Sequence, residues 1–403
     1  MDRPRARLRR VRRVTVVMLF VAIFVAELGW SGISPLLPSY EARYGLTDVG
    51  TGLIVSLASV GILIVSLPAS GLSNRFGVRK LTLLSLGVLA AGDLVVGLSN
   101  SYAALLAGRT VYGVGLGMIW VTGTAWLHDA AGESGARALA LTTSVVGAAA
   151  LLGPTFSGWL GERFTLGTPF IVLGGLAAVV LLALLLLRSP TGDSTESNPP
   201  LREMLRAARA DALMVTSIVL TLAVALMWMS AELLVPLRLH DLGYGAARIG
   251  FAFSAASIVF LTSSAVTSAR AERWATVRVA TTWMAAFGVS VLIAVIGVGA
   301  IPTISFLLAA ALTTGVLIAI TYPLGATGAT KGGFSVAVVG ALINIVWAAS
   351  GLFGPIVGGA VAQAIGDRLW FVGLAAWAVA SAAWMWRRRG IRVDAGAGAR
   401  TGA

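Results

Sequence analysis

Apolar residues in this chain run in blocks of about twenty, broken by short polar stretches. The blocks lie at roughly 14–38, 48–70, 81–99, 102–126, 138–160, 169–188, 212–237, 248–268, 279–299, 303–326, 335–362 and 369–386. Each is long enough, or nearly so, to cross a ~30 Å hydrocarbon core as a helix. None alternates with a period of two. Helices rather than barrel strands are therefore predicted, because a lipid-embedded segment must satisfy its own backbone. Between the sixth and seventh blocks stands RSPTGDSTESNPPLREMLRAARA, residues 188–210. Its Pro, Ser, Thr and charges predict a linker that ends in a short amphipathic helix. The expected layout is a six-helix bundle over 1–188, a cytoplasmic linker over 189–211, a second six-helix bundle over 212–387 and a cytoplasmic tail over 388–403.

Composition agrees with this pattern. Of 403 residues, 57% are hydrophobic and only 12% charged, too few charges to cover a soluble surface of this size. The formal net charge of +13 would suit nucleic acid, but the basic residues cluster at the ends of the apolar blocks, which argues against that partner. With the N-terminus inside, the inner ends, tails included, carry twenty-four Lys and Arg. The outer ends carry five: Arg43, Arg163, Arg238, Arg248 and Arg368. This asymmetry predicts cytoplasmic termini. The basic start MDRPRARLRRVRR then reads as a cytoplasmic tail, since the apolar run after it is long and has no small-residue cleavage site. Arginine outnumbers lysine, which occurs only at Lys80 and Lys331, and Ala and Gly are abundant. That composition suits a high-GC bacterium, hence a bacterial cytoplasmic membrane. Cysteine is absent, so disulfides, thiolate metal sites and cysteine nucleophiles are excluded.

The halves repeat. A shift of 198 residues places Pro38 on Pro236, Gly45 on Gly243 and Gly52 on Gly250. It also places SNRFGVRK (73–80) on AERWATVR (271–278), so Arg75 meets Arg273. Separately, GPTFSG (153–158) in helix 5 echoes GPIVGG (354–359) in helix 11. Two six-helix halves with termini on one side form a parallel pseudo-repeat, an organisation of alternating-access transporters.

On these residues the chain resembles the major facilitator superfamily, and within it the drug:proton antiporter (multidrug efflux) branch. SGLSNRFGVRK (70–80) resembles the family's loop 2–3 signature, with Asn74, Arg75, Gly77 and Arg79 matching. Ser70 and Val78 depart from it. LLAGRTVYGVGLG (105–117) resembles the helix 4 signature through Arg109, Gly113 and Gly115. GAAALLGPTFSG (147–158) partly resembles the antiporter signature of helix 5, and PLLPSY (35–40) the end of helix 1. The resemblance implies an all-α membrane protein of the major-facilitator fold, with twelve transmembrane helices in two pseudo-repeats. It implies a central cavity lined by helices 1, 4, 7 and 10. The loop residues Asn74, Arg75, Gly77 and Arg79, with Glu272 and Arg273 at the repeat position, would form a gate latch; their alternative role is orientation signals in solvated loops. Gly153, Pro154, Gly354 and Pro355 would either bend their helices or simply allow close packing.

An intramembrane charge costs at least ~2.5–3.5 kcal/mol on insertion scales, so such residues face a partner or a cavity. Glu27 stands near mid-helix, with Trp30, Ser31 and Ser34 following at helical spacing on one face. It is the leading proton-coupling acid; the alternative is a structural carboxyl held by Arg109 or by helix 4 hydroxyls. Asp93 matches Arg109 in depth, so these two are expected to form an ion pair or a second part of the proton path. Glu232 with Trp228 one turn away suits an organic cation, or else an interfacial Glu in an aromatic belt. Tyr112, Trp120, Tyr322, Asn344 and Trp347 either line the cavity or pack. His128–Asp129, without a serine motif or metal-spaced partner, reads as a helix terminus.

The expected activity is proton-coupled efflux of small amphipathic, drug-like or metabolite molecules, lipophilic or cationic, by a monomer in the bilayer. No metal or cofactor is expected; the proton gradient is the energy source. A sugar or metabolite exporter, or a proton symporter, is the alternative within the fold. An enzyme or receptor is disfavoured by the repeat and by the lack of a catalytic constellation.

Overall fold

The computed structural model describes residues 3–187, 201–297 and 299–388. The linker stretch 189–200 and the tail over 389–403 lie outside the described residues. Among those described, twelve helices are long and apolar enough to cross a membrane. The chain begins with α1 (Arg3–Ser31), a 3-10 turn (Ser34–Leu36) and α2 (Leu37–Tyr44), which share the first span. Pro35 and Pro38 are the second residues of the new turns, within the first turn where a missing N–H costs nothing, so the span breaks and restarts there. Gly45 closes it in the left-handed region at φ 62.

Next come α3 (Asp48–Phe76) and α4 (Val78–Leu98), separated by Gly77 alone. Its φ of 86 reverses the chain in one residue, which accounts for the glycine of the loop signature. The fourth span holds α5 (Tyr102–Met118), a π-helical turn (Ile119–Gly123) and α6 (Thr124–Ala131). Then come α7 (Gly135–Arg163), α8 (Thr168–Leu186) and the linker helix α9 (Leu201–Ala210). The second half holds α10 (Ala212–Asp241), α11 (Ala246–Ser268), the short α12 (Ala271–Trp274), α13 (Val277–Ile296), α14 (Ala300–Lys331), α15 (Ala337–Ile365) and α16 (Asp367–Trp386). Most helices overrun the apolar blocks by about a turn, because polar residues at the ends continue the helix beyond the apolar run. α14, for example, reaches Lys331.

The chain forms two compact units. One holds Met1–Asn198, Met229–Ser257 and Gly351–Ala364; the other holds Pro199–Trp228, Ile258–Ser350 and Ile365–Ala403. In the second, Met204 and Ala207 of α9 are buried with Met214, Ala329, Val338, Val339 and Leu342. Arg202, Arg206 and Arg209 stay exposed, so the amphipathic reading of this helix holds.

In the first unit, glycines set how closely helices approach, as expected where lipid gives no hydrophobic drive. A Cβ on Gly92 or Gly115 of one helix would strike the backbone of Tyr112 or Leu89 on the other. The same principle joins the repeat-related segments. Gly52 of α3 leaves room for the Pro355 carbonyl of α15, and Gly250 of α11 for the Pro154 carbonyl of α7. Gly359 faces the Asp48 carbonyl, and Gly158 the Ala246 carbonyl. The two seams are thus built from equivalent positions of the two halves.

Adjacent glycines of α8 test this packing argument. A Cβ on Gly174 would sit 2.9 Å from Leu94 Cγ and 3.0 Å from the Ala90 carbonyl, whereas one on Gly175 meets nothing within 4 Å. Gly174→Leu is expected to lower the melting temperature of the detergent-solubilised protein, reflecting a loss of about 1–3 kcal/mol or more. Gly175→Leu is expected to leave it unchanged. Thermal size-exclusion of both variants checks the difference.

Candidate functional site

The site grows from three helices of the first unit. Arg109 of α5 is 1% exposed. Its Nε donates to the Ile54 carbonyl of α3 at 3.0 Å, and its Nη1 to the Gly29 carbonyl of α1 at 3.4 Å. Its guanidinium lies over the Tyr112 ring, 4.9 Å from the centroid. The Tyr112 hydroxyl donates to the Ala26 carbonyl of α1. The ring reaches it because Gly29 has no Cβ; one there would meet Tyr112 at 2.8 Å.

Glu27 lies in this frame. One carboxylate oxygen accepts the Trp120 indole N–H at 2.7 Å, a short charge-assisted geometry. Ser31 donates to the Glu27 carbonyl at 3.1 Å and to the Ala149 carbonyl of α7 at 3.2 Å. Glu27, Trp30, Ser31, Trp120 and Thr124 are all partly exposed, although they stand in the middle of spans. Glu27, Trp30 and Ser31 thus share an accessible face, as their spacing predicts. Ser34 departs from that expectation: the helix ends at Ser31, and Ser34 opens the 3-10 turn at 1% exposure. Its i+7 spacing holds only in an unbroken helix.

The expected ion pairs are not formed among the described residues. Arg109 bonds backbone carbonyls instead of Glu27 or Asp93. Asp93 is fully buried on α4, and neither of its oxygens has a hydrogen-bond partner among the described residues. Equal depth is the only basis for that pairing, and depth does not fix the direction in which a side chain leaves its helix.

Other candidates separate into buried and accessible groups. Glu232 is 5% exposed, so it is enclosed by protein. Trp228, one turn before it, is partly exposed and tilted against Phe260 of α11, with centroids 6.4 Å apart. On α15, Asn344 is exposed and Trp347 partly so. Tyr322 of α14 is 47% exposed. His128 and Asp129 lie at the end of α6, 3.8 Å apart.

At the loop signature, Arg79 donates to the Leu187 carbonyl at 3.1 Å and to the Leu185 carbonyl at 3.4 Å. It thus closes the end of α8. Arg75 lies over the Phe76 ring at 5.3 Å, and Arg273 is exposed. The side chains of Asn74 and Glu272, assigned to the latch, lie outside the described ones.

The seam between α7 and α11 carries polar bonds as well as close backbones. Ser257 donates to the Ala150 carbonyl at 3.0 Å, and Ser254 to the Leu151 carbonyl. Thr155 and Ser254 hydroxyls are 2.7 Å apart. At its end, Glu162 accepts the Ala247 N–H at 2.8 Å, a carboxylate on the first turn of α11.

A family model described as Major Facilitator Superfamily matches residues 19–355. The chain belongs to this superfamily. This is a family of transporters, not of enzymes. The chain is 22% identical to the quinolone resistance protein NorA of Staphylococcus aureus (strain MSSA476) over 228 residues, 56% of this chain and 58% of that protein. It is 25% identical over 174 residues to the multidrug resistance protein Stp of Mycobacterium tuberculosis, 43% of this chain and 32% of that one. The chain thus aligns with less than two thirds of either relative. Two solved structures of a bacterial homolog of the human lysosomal transporter Spinster share the fold. The inward-facing unoccupied form has a TM-score of 0.74 at 14% identity, covering 94% of this chain and 96% of that one. The inward-facing occupied form has 0.76 at 13%, covering 94% and 97%.

Arg79 supplies a test of the loop geometry. Arg79→Ala is expected to lower thermal stability by roughly 1 kcal/mol, the typical net worth of such bonds. Arg79→Lys is expected to recover only part of it, because both bonds come from one terminal nitrogen, Nη2, and the shorter lysine brings its ammonium less far toward the two carbonyls. Melting curves of the purified variants measure both.

Proposed function

We propose that the protein is a proton-coupled exporter of small amphipathic molecules, with Glu27 as the acid that carries the coupling proton. The observation that supports this most is Glu27 itself: a carboxyl in mid-span, accessible on one side and held by one indole N–H. A charge in such a place is retained where function requires it. The efflux relatives favour a drug-like cargo. Trp30 and Trp120, on the accessible face with Glu27, offer aromatic surface for a lipophilic or cationic molecule. Arg109 belongs to the frame that holds α1 against α5, and Asp93 is a second proton site behind it.

The working cycle is alternating access between two six-helix halves, 1–188 and 212–387, with both termini in the cytoplasm of a bacterium. The seams α3–α15 and α7–α11 then lie at the outer ends and close that side. The motifs Gly153–Pro154 and Gly354–Pro355 act there as paired contact surfaces. Arg75 and Arg273 act at the inner ends. In the exporting direction, Glu27 takes a proton from outside, the halves rock, and the proton leaves inside as cargo enters.

Everted vesicles containing a pH-sensitive dye, exposed to a panel of lipophilic cations, test the reading. Glu27→Gln keeps shape and hydrogen bonding but cannot release a proton at working pH. It is expected to abolish uphill, proton-driven transport while leaving the protein in the membrane. Glu27→Asp is expected to keep partial activity. Unchanged uphill transport in Glu27→Gln would make Glu27 structural.

The latch carries a separate expectation. Arg75→Ala is expected to slow turnover at unchanged membrane level, measured as initial transport rate per milligram of inserted protein. Wild-type rates would remove the latch.

A further inference from the structure

Midway along the fourth span, between α5 and α6, the helix departs from α geometry in the π-helical turn Ile119–Gly123. Such turns carry one extra residue, cost hydrogen-bond geometry, and concentrate at functional sites. This one is held by side chains. Thr122 donates to the Met118 carbonyl at 3.0 Å, and Thr124 to the Trp120 carbonyl. Thr82 of α4 donates to the Thr122 hydroxyl at 3.1 Å. Within the turn stands Trp120, whose N–H is bound to Glu27. Upstream on the same face, Arg109 and Tyr112 bond the α1 carbonyls of Gly29 and Ala26, on either side of Glu27.

An indole has one donor, no acceptor and no proton to exchange in the working pH range. Trp120 therefore cannot relay protons. What it can do is accompany the carboxyl through its cycle, because the oxygen it bonds is an acceptor in both forms: one of two equivalent oxygens when ionised, the carbonyl oxygen when protonated. The titratable groups on the elements packed against α1 do not duplicate this role. On α5, Arg109 and Tyr112 are committed to backbone carbonyls. On α4, Asp93 is buried without a hydrogen-bond partner among the described residues. α6 carries His128 and Asp129 at its end. α7 carries Arg137, Glu162 and Arg163 near its ends, and α8 has none.

We propose that Trp120, presented by the π-helical turn, is the positioning residue of Glu27: it fixes one carboxyl oxygen in both protonation states and leaves the other as the atom that takes and releases the proton. This rests on the reading of Glu27 as the coupling acid, and the test separates the two.

The test is difference infrared spectroscopy of the full chain in lipid, between acid and alkaline buffer, tracking the carboxyl C=O stretch. Glu27→Gln identifies the Glu27 band by its loss. Trp120→Phe keeps a ring but no donor, and is expected to shift that band to higher frequency, since one hydrogen bond to the carbonyl oxygen is gone. A band that Glu27→Gln removes but Trp120→Phe leaves in place overturns the proposal and spares the coupling reading. No band lost in Glu27→Gln overturns both. Where Trp120→Phe does not fold, 5-fluorotryptophan in the otherwise unaltered chain strengthens the indole donor without altering its hydrogen-bond geometry. It is expected to shift the Glu27 band to lower frequency, and an unmoved band overturns the proposal.

Discussion

A guanidinium between helices has to be solvated by the protein, and the first unit is organised around doing this for Arg109. Its N–H groups reach carbonyls on α3 and α1, and its flat face is covered by Tyr112. A membrane interior supplies no water to share that task. Each bond therefore also fixes a helix: turning α5 would break the bonds that Arg109 Nε and Nη1 make to α3 and α1. Tyr112 adds a second tie to α1 and requires Gly29 to make it. Glu27 lies between these two ties, so its position depends on the solvation of a neighbour.

Glycine makes the same arrangement possible. Carbonyls can serve as partners only if backbones approach closely. Gly92 and Gly115 bring α4 and α5 together, and Gly52, Gly158, Gly250 and Gly359 do so along the two repeat-related seams. Part of the chain's high glycine count, 48 residues, is thus a geometric requirement. Hydroxyls complete the seam between α7 and α11, where Ser254, Ser257 and Thr155 bond across helices. Such bonds are individually modest, so the seam rests on several of them together with its close backbones.

Counting along the chain is enough for much of the architecture. Twelve apolar blocks match the twelve candidate spans of the described residues, and a shift of 198 residues gives the pair Gly52 and Gly250 that the two seams use. Helical spacing puts Glu27, Trp30 and Ser31 on one accessible face, because three or four residues make a turn whatever surrounds it. The spacing fails at Ser34, which opens the 3-10 turn that holds Pro35. Partners, by contrast, come only from the packed molecule. Asp93 and Arg109 agree in depth, yet Arg109 bonds carbonyls that no sequence pattern marks. Trp120 is the partner of Glu27 across 93 residues of chain, from within a π-helical turn that an apolar run does not announce. Depth and periodicity are properties of one helix. Which side chain meets which is set by the rotation of each helix against its neighbours, and that is fixed only when all of them pack.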